Sequence, residues 1–94
     1  MKIALDSVVS RTRELSATEV EAELVMMDLE KGKYYGLNVV ATHIWKTLDR
    51  PRSVRSLCES LRDTFDVGEA ECEADVLAFL DTLLKAEMIA VRTA

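Results

Sequence analysis

The chain has 94 residues, of which 49% are hydrophobic and 31% charged, and its formal net charge is −5. A domain this small buries roughly 60–65% of its unfolded surface, which suits one core but not a deep catalytic cavity as well. The acidic balance argues against nucleic acid or an anionic membrane as a partner.

Targeting and redox features predict a soluble cytoplasmic protein. The sequence has no apolar run of about 18 residues and no hydrophobic signal-peptide region near its start. Cys58 and Cys72 stand alone in their segments, without a Cys-x-x-Cys pair or a neighbouring histidine ligand. We therefore expect both to be small apolar residues in a reducing compartment.

The N-terminal third predicts a three-stranded antiparallel sheet. Residues 3–9 are apolar enough for a first strand, and residues 11–14 continue it in polar form. Residues 14–22 are rich in Glu, Ala, Ser and Thr, and indicate a connection or a short helical turn. A hairpin follows, with a turn at Glu30-Lys31-Gly32 in which Gly32 supplies a positive φ. A lone hairpin is not stable in water, so helices must support it.

Three helices and a short tail follow. Asn38 is a good N-cap for a first helix over about 39–49, which Pro51 stops. Ser53 caps a second helix with a regular apolar stripe. Asp66, with Glu69 three residues on, resembles a capping box for a third helix over about 68–87. The tail from Met88 forms a brief terminal strand or closes the core.

The third helix carries an unusually wide apolar arc. Its apolar residues spread over about half the circumference, whereas a surface helix needs an arc of only about 100°. They are Val76, Leu77, Phe79, Leu80, Leu83 and Leu84. Two explanations remain: the helix is held between two others, or one edge of the arc lines a groove.

The residues that could carry chemistry are few and scattered. His43 is the single histidine, and no Ser, Cys or Asp stands in a triad-like relation to it. Metal binding would need three or four ligands, and carboxylates such as Glu71 and Asp75 are spaced as a solvated helix face. No phosphate-binding glycine motif is present. We therefore expect no catalytic residue, no metal, no cofactor and no enzymatic activity, and a core position for Trp45.

The second hairpin strand places an aromatic residue at a sheet edge. Tyr34 and Tyr35 face opposite ways, because side chains alternate along a strand. One should pack inward, and the other should stay near the surface as edge decoration or as a platform for a bound chain. Lys33 protects the edge only lightly. We hypothesise that this edge is kept open for a partner peptide.

Strands followed by helices could also form a DNA-binding winged helix. In such domains the helix that enters the major groove corresponds here to the third helix. That helix is dominated by carboxylates, which phosphates repel. Basic residues cluster at Arg50, Arg52 and Arg55, on the loop before the second helix, so a nucleic-acid-binding or regulatory role is the alternative function.

The order and spacing of several segments resemble the PqqD family. The hairpin reads Glu-Leu-Val…Asp…Lys-Tyr-Tyr-Gly-Leu-Asn, and Ile44-Trp45 and Leu48 precede Arg-Pro-Arg-Ser-Val. The closing run from Asp75 to Leu80, with Leu83 and Met88-Ile89, fits as well. The resemblance covers residues 3–91 and departs at Glu87, where the family usually has glycine.

This resemblance implies a winged-helix-like α+β domain, similar to the free-standing recognition proteins of lasso-peptide clusters. The leader of a ribosomally made precursor peptide would add as a strand to the hairpin edge and lie against the third helix. The implied peptide-binding residues are Lys33, Tyr34, Tyr35, Gly36, Leu37, Cys72, Asp75, Val76, Phe79 and Leu83. Asp75 would pair a leader lysine or arginine, and the opposite helix edge (Leu77, Leu80, Leu84) is a rival lining.

The resemblance also implies the partners of the chain. The bound leader would be presented to a separate processing enzyme, in lasso clusters a cysteine peptidase that removes the leader. The chain would be an adaptor without chemistry of its own, and a monomer or a weak edge-to-edge dimer.

Overall fold

A computed structural model describes residues 3–12 and 15–92 of the chain. Its elements, in chain order, are β1 (Val8–Arg11), β2 (Ser16–Val20), β3 (Glu23–Asp28), β4 (Lys33–Leu37), α1 (Val39–Thr47), β5 (Arg52–Ser53), α2 (Val54–Thr64), α3 (Glu69–Lys85) and β6 (Ile89–Arg92). The strands form two antiparallel sheets, in the orders β2-β3-β4 and β5-β1-β6. The α+β class, with a three-stranded antiparallel sheet and three helices, is confirmed.

The third strand of the hairpin sheet is not the one expected. Strand β2 pairs with β3, so the prediction of a connection or helical turn over residues 14–22 is wrong. The loop between them is Glu21-Ala22, and both residues have positive φ, 51° and 68°. Two-residue hairpin loops of this kind are normally Asn-Gly or Asp-Gly. Every residue of β2 is exposed, so the strand carries no apolar alternation either.

The segment predicted as the first strand belongs to the second sheet. Strand β1 begins at Val8 rather than at residue 3, and it pairs with β6 and β5 instead of the hairpin. Val9 is completely buried there and lies opposite Val91. Both alternatives predicted for the tail from Met88 are found, because Ile89–Arg92 forms a strand paired with β1 and Met88 and Ile89 are buried in the core. The expected polar continuation through residues 13 and 14 lies outside the described residues.

Local signals placed the hairpin turn and two helix starts correctly. Gly32 has φ +64°, and the Asp28 carboxylate accepts the Lys31 N–H at 3.2 Å within the same turn. The Asn38 side chain accepts from the Ala41 N–H at 2.8 Å, and Ser53 accepts from the Ser56 N–H at 3.1 Å. Each cap satisfies one of the N–H groups that a helix start leaves without a partner.

The predicted capping box of the third helix is wrong. Gly68 is the N-cap of α3 and gives no side-chain hydrogen bond. Asp66 lies two residues before that cap, so its carboxylate is not at the position from which an N-cap side chain bonds the first turn. The helix therefore begins at Glu69 and ends at Lys85, slightly inside the predicted range.

One core joins both sheets and all three helices. Trp45 is 4% exposed, which confirms its predicted core position. The Arg11 guanidinium lies 4.4 Å from the centre of the Trp45 ring and donates a hydrogen bond to the Trp45 carbonyl. Helix α3 contributes Cys72, Val76, Leu80 and Leu83 to this core. Burial of these apolar side chains fixes the helix against α2 and β6.

A left-handed residue ends α3. The Met88 N–H bonds the Leu83 carbonyl at 2.9 Å, and the Glu87 N–H bonds the Leu84 carbonyl at 3.0 Å. These two bonds form a Schellman motif, whose left-handed position is usually glycine. Here that position is Glu87, with φ 62°. The departure noted in the sequence therefore falls at a strained backbone position.

Replacing Glu87 with glycine should stabilise the protein. Glycine adopts this conformation without the cost that a Cβ imposes, so we expect the free energy of unfolding to rise by about 0.5–1 kcal/mol. The exposed Glu87–Lys31 ion pair, at 3.5 Å, contributes little against this gain. Urea denaturation measures the change. As a control, Ala78→Gly at an exposed interior position of α3 should lower the free energy of unfolding by about 1 kcal/mol. A decrease of similar size for Glu87→Gly would contradict the assignment of Glu87 to a strained left-handed position.

Candidate functional site

Strand β4 has one paired side and one open side. It pairs with β3 from Leu24↔Leu37 to Asp28↔Lys33. Among residues 3–12 and 15–92, no strand pairs with its other side. An edge of this kind presents main-chain donors and acceptors to the surroundings.

The Thr42 hydroxyl shows which groups of β4 face outward. It accepts the Leu24 N–H at 3.0 Å and donates to the Leu37 carbonyl at 3.2 Å, so it bridges two residues that face each other across the ladder. In an antiparallel pair, the residues that aim their polar groups at the partner alternate along the strand. The N–H and C=O groups of Tyr34 and Gly36 therefore point toward the open edge.

The side chains of β4 alternate as the sequence predicted. Tyr35 is half-buried against the core and Leu37 is buried, whereas Tyr34 is 71% exposed. The prediction of one inward and one outward tyrosine is thus confirmed. A Cβ built on Gly36 would meet no atom within 4 Å, so the face of the strand is open at this residue. Lys33 is exposed at the start of the strand.

A cavity of about 430 Å³ lies between β4 and α3, and we call it the strand-edge cavity. Four β4 residues and three α3 residues line it, together with the start of α1. They are Tyr34, Tyr35, Gly36, Leu37, Asn38, Ala41, Phe79, Thr82 and Leu83. The open backbone edge and the apolar flank of α3 therefore face the same space.

Two further cavities continue this space along α3. The middle cavity, about 340 Å³, is lined by Asn38, Val40, Ala41, Ile44, Asp75 and Phe79. The loop cavity, also about 340 Å³, is lined by Val40, Leu61, Phe65, Asp66, Val67, Glu71, Cys72 and Asp75. Neighbouring cavities share lining residues, so together they form one groove, the α3 groove. From Leu83 to Cys72 it follows the helix for about 16 Å.

The helix residues predicted for the site separate into two groups. Cys72, Asp75, Phe79 and Leu83 all line the α3 groove. Val76 is completely buried in the core and lines none of the three cavities, so the structure places it beneath the groove instead. This follows from helical spacing, because Val76 shares the core-facing stripe with Cys72 and Leu80.

The rival edge of α3 does not face the open strand. Leu80 is fully buried, and Leu77 is half-buried. Leu84 lines a separate cavity near the end of the helix, with Lys31 and Glu87. The wide apolar arc thus combines both explanations: the middle of the arc is core, and one flank borders the groove.

Several groove residues were missed from the sequence. Val40 lies near the start of α1, where it is 37% exposed and lines two of the cavities. Thr82 lies between Phe79 and Leu83 on the lining face, where its spacing could have signalled it. The segment from Phe65 to Val67 carried no signal that it would line a groove, because only the packing of α2 against α3 brings it there.

The loop cavity has an apolar floor and an acidic rim. Leu61 and Cys72 are buried at its base, whereas Asp66, Glu71 and Asp75 are exposed. Within the described ranges, no lysine or arginine forms an ion pair with any of these three carboxylates. In contrast, Glu69 and Asp81 of the same helix pair with Arg62 at 3.7 Å and Lys85 at 3.0 Å.

The nucleophile and metal-ligand candidates hold structural positions. Burial raises the pKa of the Cys58 thiol to about 11, so it stays protonated at neutral pH and is a poor nucleophile. His43 shares a 2.9 Å hydrogen bond with Ser60 and meets the Phe65 ring edge-on. Among the described residues, no group of three His, Cys, Asp or Glu side chains could hold a metal ion. No helix there is long and apolar enough to cross a bilayer.

The basic residues predicted on the loop before the second helix lie on both sides of the start of α2, since Arg55 is the second residue of that helix. They face carboxylates of their own chain. Arg55 pairs with Asp6 at 2.8 Å, and this contact raises the pKa of the arginine. Arg50 and Arg52 both lie 3.9 Å from Asp49, and Arg52 also donates to the Thr47 carbonyl at 2.7 Å. These contacts reduce the charge that the cluster can offer to a phosphate backbone.

Comparison with known proteins gives one family and two similar folds. TbiB1 in complex with the TbiA(beta) leader peptide superposes with a TM-score of 0.70 at 24% identity, over 95% of this chain and 94% of that one. Lasso peptide synthetase B1 complexed with the leader peptide superposes with a TM-score of 0.68 at 21% sequence identity, over 87% of this chain and 96% of that one. No curated protein sequence matches the chain. The family described as coenzyme PQQ synthesis protein D (PqqD) matches residues 23–89, and the chain therefore belongs to the PqqD family.

Proposed function

We propose that this protein binds the leader segment of a ribosomally synthesised precursor peptide, as a strand added to the open edge of β4. The observation that carries this proposal is the outward-facing backbone of Tyr34 and Gly36 beside the apolar flank of α3. Two proteins that share its fold are described as complexes with leader peptides, which supports the same ligand class here.

Strand addition divides affinity and selectivity between two parts of the site. Main-chain hydrogen bonds to Tyr34 and Gly36 accept almost any sequence, whereas pockets for alternate side chains select among sequences. Leader side chains that face the strand-edge cavity would meet Leu37, Phe79 and Leu83, so apolar residues are favoured at alternate positions. Cys72 and Asp75 would contact the leader beyond the strand, and Lys33 would border the end of the added strand.

The protein would act as an adaptor rather than as a catalyst. In this proposal it presents the bound leader to a separate processing enzyme, a cysteine peptidase that removes the leader in lasso-peptide biosynthesis. The protonated Cys58 thiol and the structural contacts of His43 support a role without chemistry. Buried, unpaired thiols suit a reducing compartment, so we place this function in the cytoplasm. A weak edge-to-edge dimer would use the same backbone groups and compete with the leader.

Removing one outward amide of β4 should weaken leader binding without disturbing the fold. Gly36→Pro deletes an N–H that faces the open edge, and proline is tolerated there because the ladder to β3 does not use that group. We expect affinity for fluorescein-labelled leaders of lasso-peptide precursors, the TbiA(beta) leader among them, to fall by about tenfold or more in fluorescence polarisation.

Gly36→Ala is the matched control for this test. It keeps the amide, and its methyl group meets no atom of the protein within 4 Å, so binding should change by less than about threefold. Thermal unfolding should give similar stability for both variants. Equal affinity of the proline and alanine variants, or no binding of any leader to the wild-type protein, would contradict strand addition at β4.

A charge on the groove flank of α3 should also reduce leader binding. Phe79→Asp places a carboxylate against apolar leader side chains, and we expect a loss of about tenfold or more. Tyr34→Asp should weaken binding as well, because Tyr34 is one of the residues that line the strand-edge cavity. Leu77→Asp is the control, since Leu77 is half-buried on the other flank of the same helix. A loss of the same size for Leu77→Asp would assign the effect to stability rather than to the groove.

A further inference from the structure

We propose that the loop cavity receives a lysine or arginine side chain of the leader, from the segment that lies N-terminal to the added strand. This inference rests on the proposed function and extends it to the chemistry and direction of the bound chain.

The course of the α3 groove sets the direction. One wall of the groove is formed by β4 and the start of α1, and the other wall is formed by α3. From the strand-edge cavity to the loop cavity, residue numbers on the first wall increase from Tyr34 to Val40, whereas those on the α3 wall decrease from Leu83 to Cys72. The groove therefore continues past the C-terminal end of β4. The strands of this sheet all pair antiparallel, and antiparallel pairing is the more stable kind. A leader strand antiparallel to β4 starts at this end, so the residues that precede it lie in the middle and loop cavities.

The distance to the loop cavity is short. Phe79 borders the strand-edge cavity and Cys72 borders the loop cavity, so the two are separated by about 10 Å along the helix. An extended chain covers this distance in about three residues. The side chain that enters the loop cavity should therefore belong to a residue about three positions before the added strand.

The lining of the loop cavity matches a long cationic side chain. The apolar surfaces of Phe65 and Val67 suit the aliphatic stem of lysine or arginine, which packs on apolar surface while its charged end stays at a wet rim. Asp66, Glu71 and Asp75 supply acceptors at that rim. An acidic leader side chain would be repelled there, and a purely apolar one would leave the carboxylates without a new partner.

Charge complementarity extends beyond the cavity itself. Two other carboxylates of α3, Glu69 and Asp81, have cationic partners within the chain, whereas within the described ranges no ion pair joins Glu71 or Asp75 to a cation. The formal net charge of −5 attracts a basic segment at long range as well. The local attraction to Glu71 and Asp75 and the long-range attraction of the net charge both weaken with added salt, because exposed charges are screened.

A display selection tests this proposal without knowledge of the natural precursor. Random peptides of about 16 residues are selected on the wild-type protein, and N-methyl scanning of the enriched peptides identifies the residues whose amides bond to β4. We expect Lys or Arg to be enriched about three positions before those residues. Replacing that residue with alanine in a selected peptide should weaken binding by about fivefold to tenfold.

The protein variants decide whether the cation meets the loop cavity. On Glu71→Gln/Asp75→Asn, the alanine replacement in the peptide should lower the affinity by less than about twofold, because both α3 carboxylates of the rim are already gone. The control Glu59→Gln/Glu73→Gln removes the same charge from α2 and α3 outside the cavity lining, and it should retain the wild-type cost. Added salt should reduce the loss of affinity that the alanine replacement causes on the wild-type protein. It should leave the small loss on Glu71→Gln/Asp75→Asn unchanged.

The outcomes separate this inference from the proposed function. Selected peptides that lose binding on Gly36→Pro but show no cation before the strand, or show it only after the strand, would overturn the loop-cavity assignment and leave strand addition intact. The loop-cavity assignment would also be overturned if replacing the cationic peptide residue with alanine lowered the affinity equally on both double variants. Peptides that bind Gly36→Pro as tightly as the wild type would instead contradict strand addition itself.

Discussion

The Thr42 hydroxyl bridge is the contact on which the geometry of the edge depends. It joins the Leu24 amide to the Leu37 carbonyl, and it ties the ends of β3 and β4 to the first turn of α1. Hydrogen bonding alternates along an antiparallel pair, so the position of this bridge shows which residues of β4 point their polar groups toward β3 and which point them outward. It is also buried, which makes the loss of either bond costly.

The rest of the chain holds α3 opposite that edge. Val76 and Leu80 are fully buried, and the Schellman motif at Glu87 turns the chain into β6 immediately after the helix. The helix is therefore fixed by its middle stripe, and its Phe79 flank remains beside β4. In the proposed function, the edge supplies sequence-tolerant hydrogen bonds and the two ends of the groove differ in chemistry. An apolar end and an acidic end can together select both the sequence and the direction of a bound chain.

The sequence by itself determined the features that depend on neighbours within a few residues. The β3–β4 turn at Gly32, the caps Asn38 and Ser53, and the alternation of Tyr34 and Tyr35 were all predicted, since each follows from local backbone or side-chain geometry. The same reasoning failed where the local chemistry is atypical. Strand β2 was missed because its turn lacks asparagine and glycine and all its residues are exposed.

Only the tertiary structure decided the features that join distant segments. Strand β1 finds its partner β6 about 80 residues later, and no periodicity encodes that pairing. The α3 groove brings Val40, Phe65 and Asp75 together from α1, from the α2–α3 connection and from α3. The sequence showed that α3 had more apolar surface than a core needs, but not which flank borders the strand. That choice follows from how α3 packs on α2 and β6, which leaves Phe79 at the groove and Val76 beneath it.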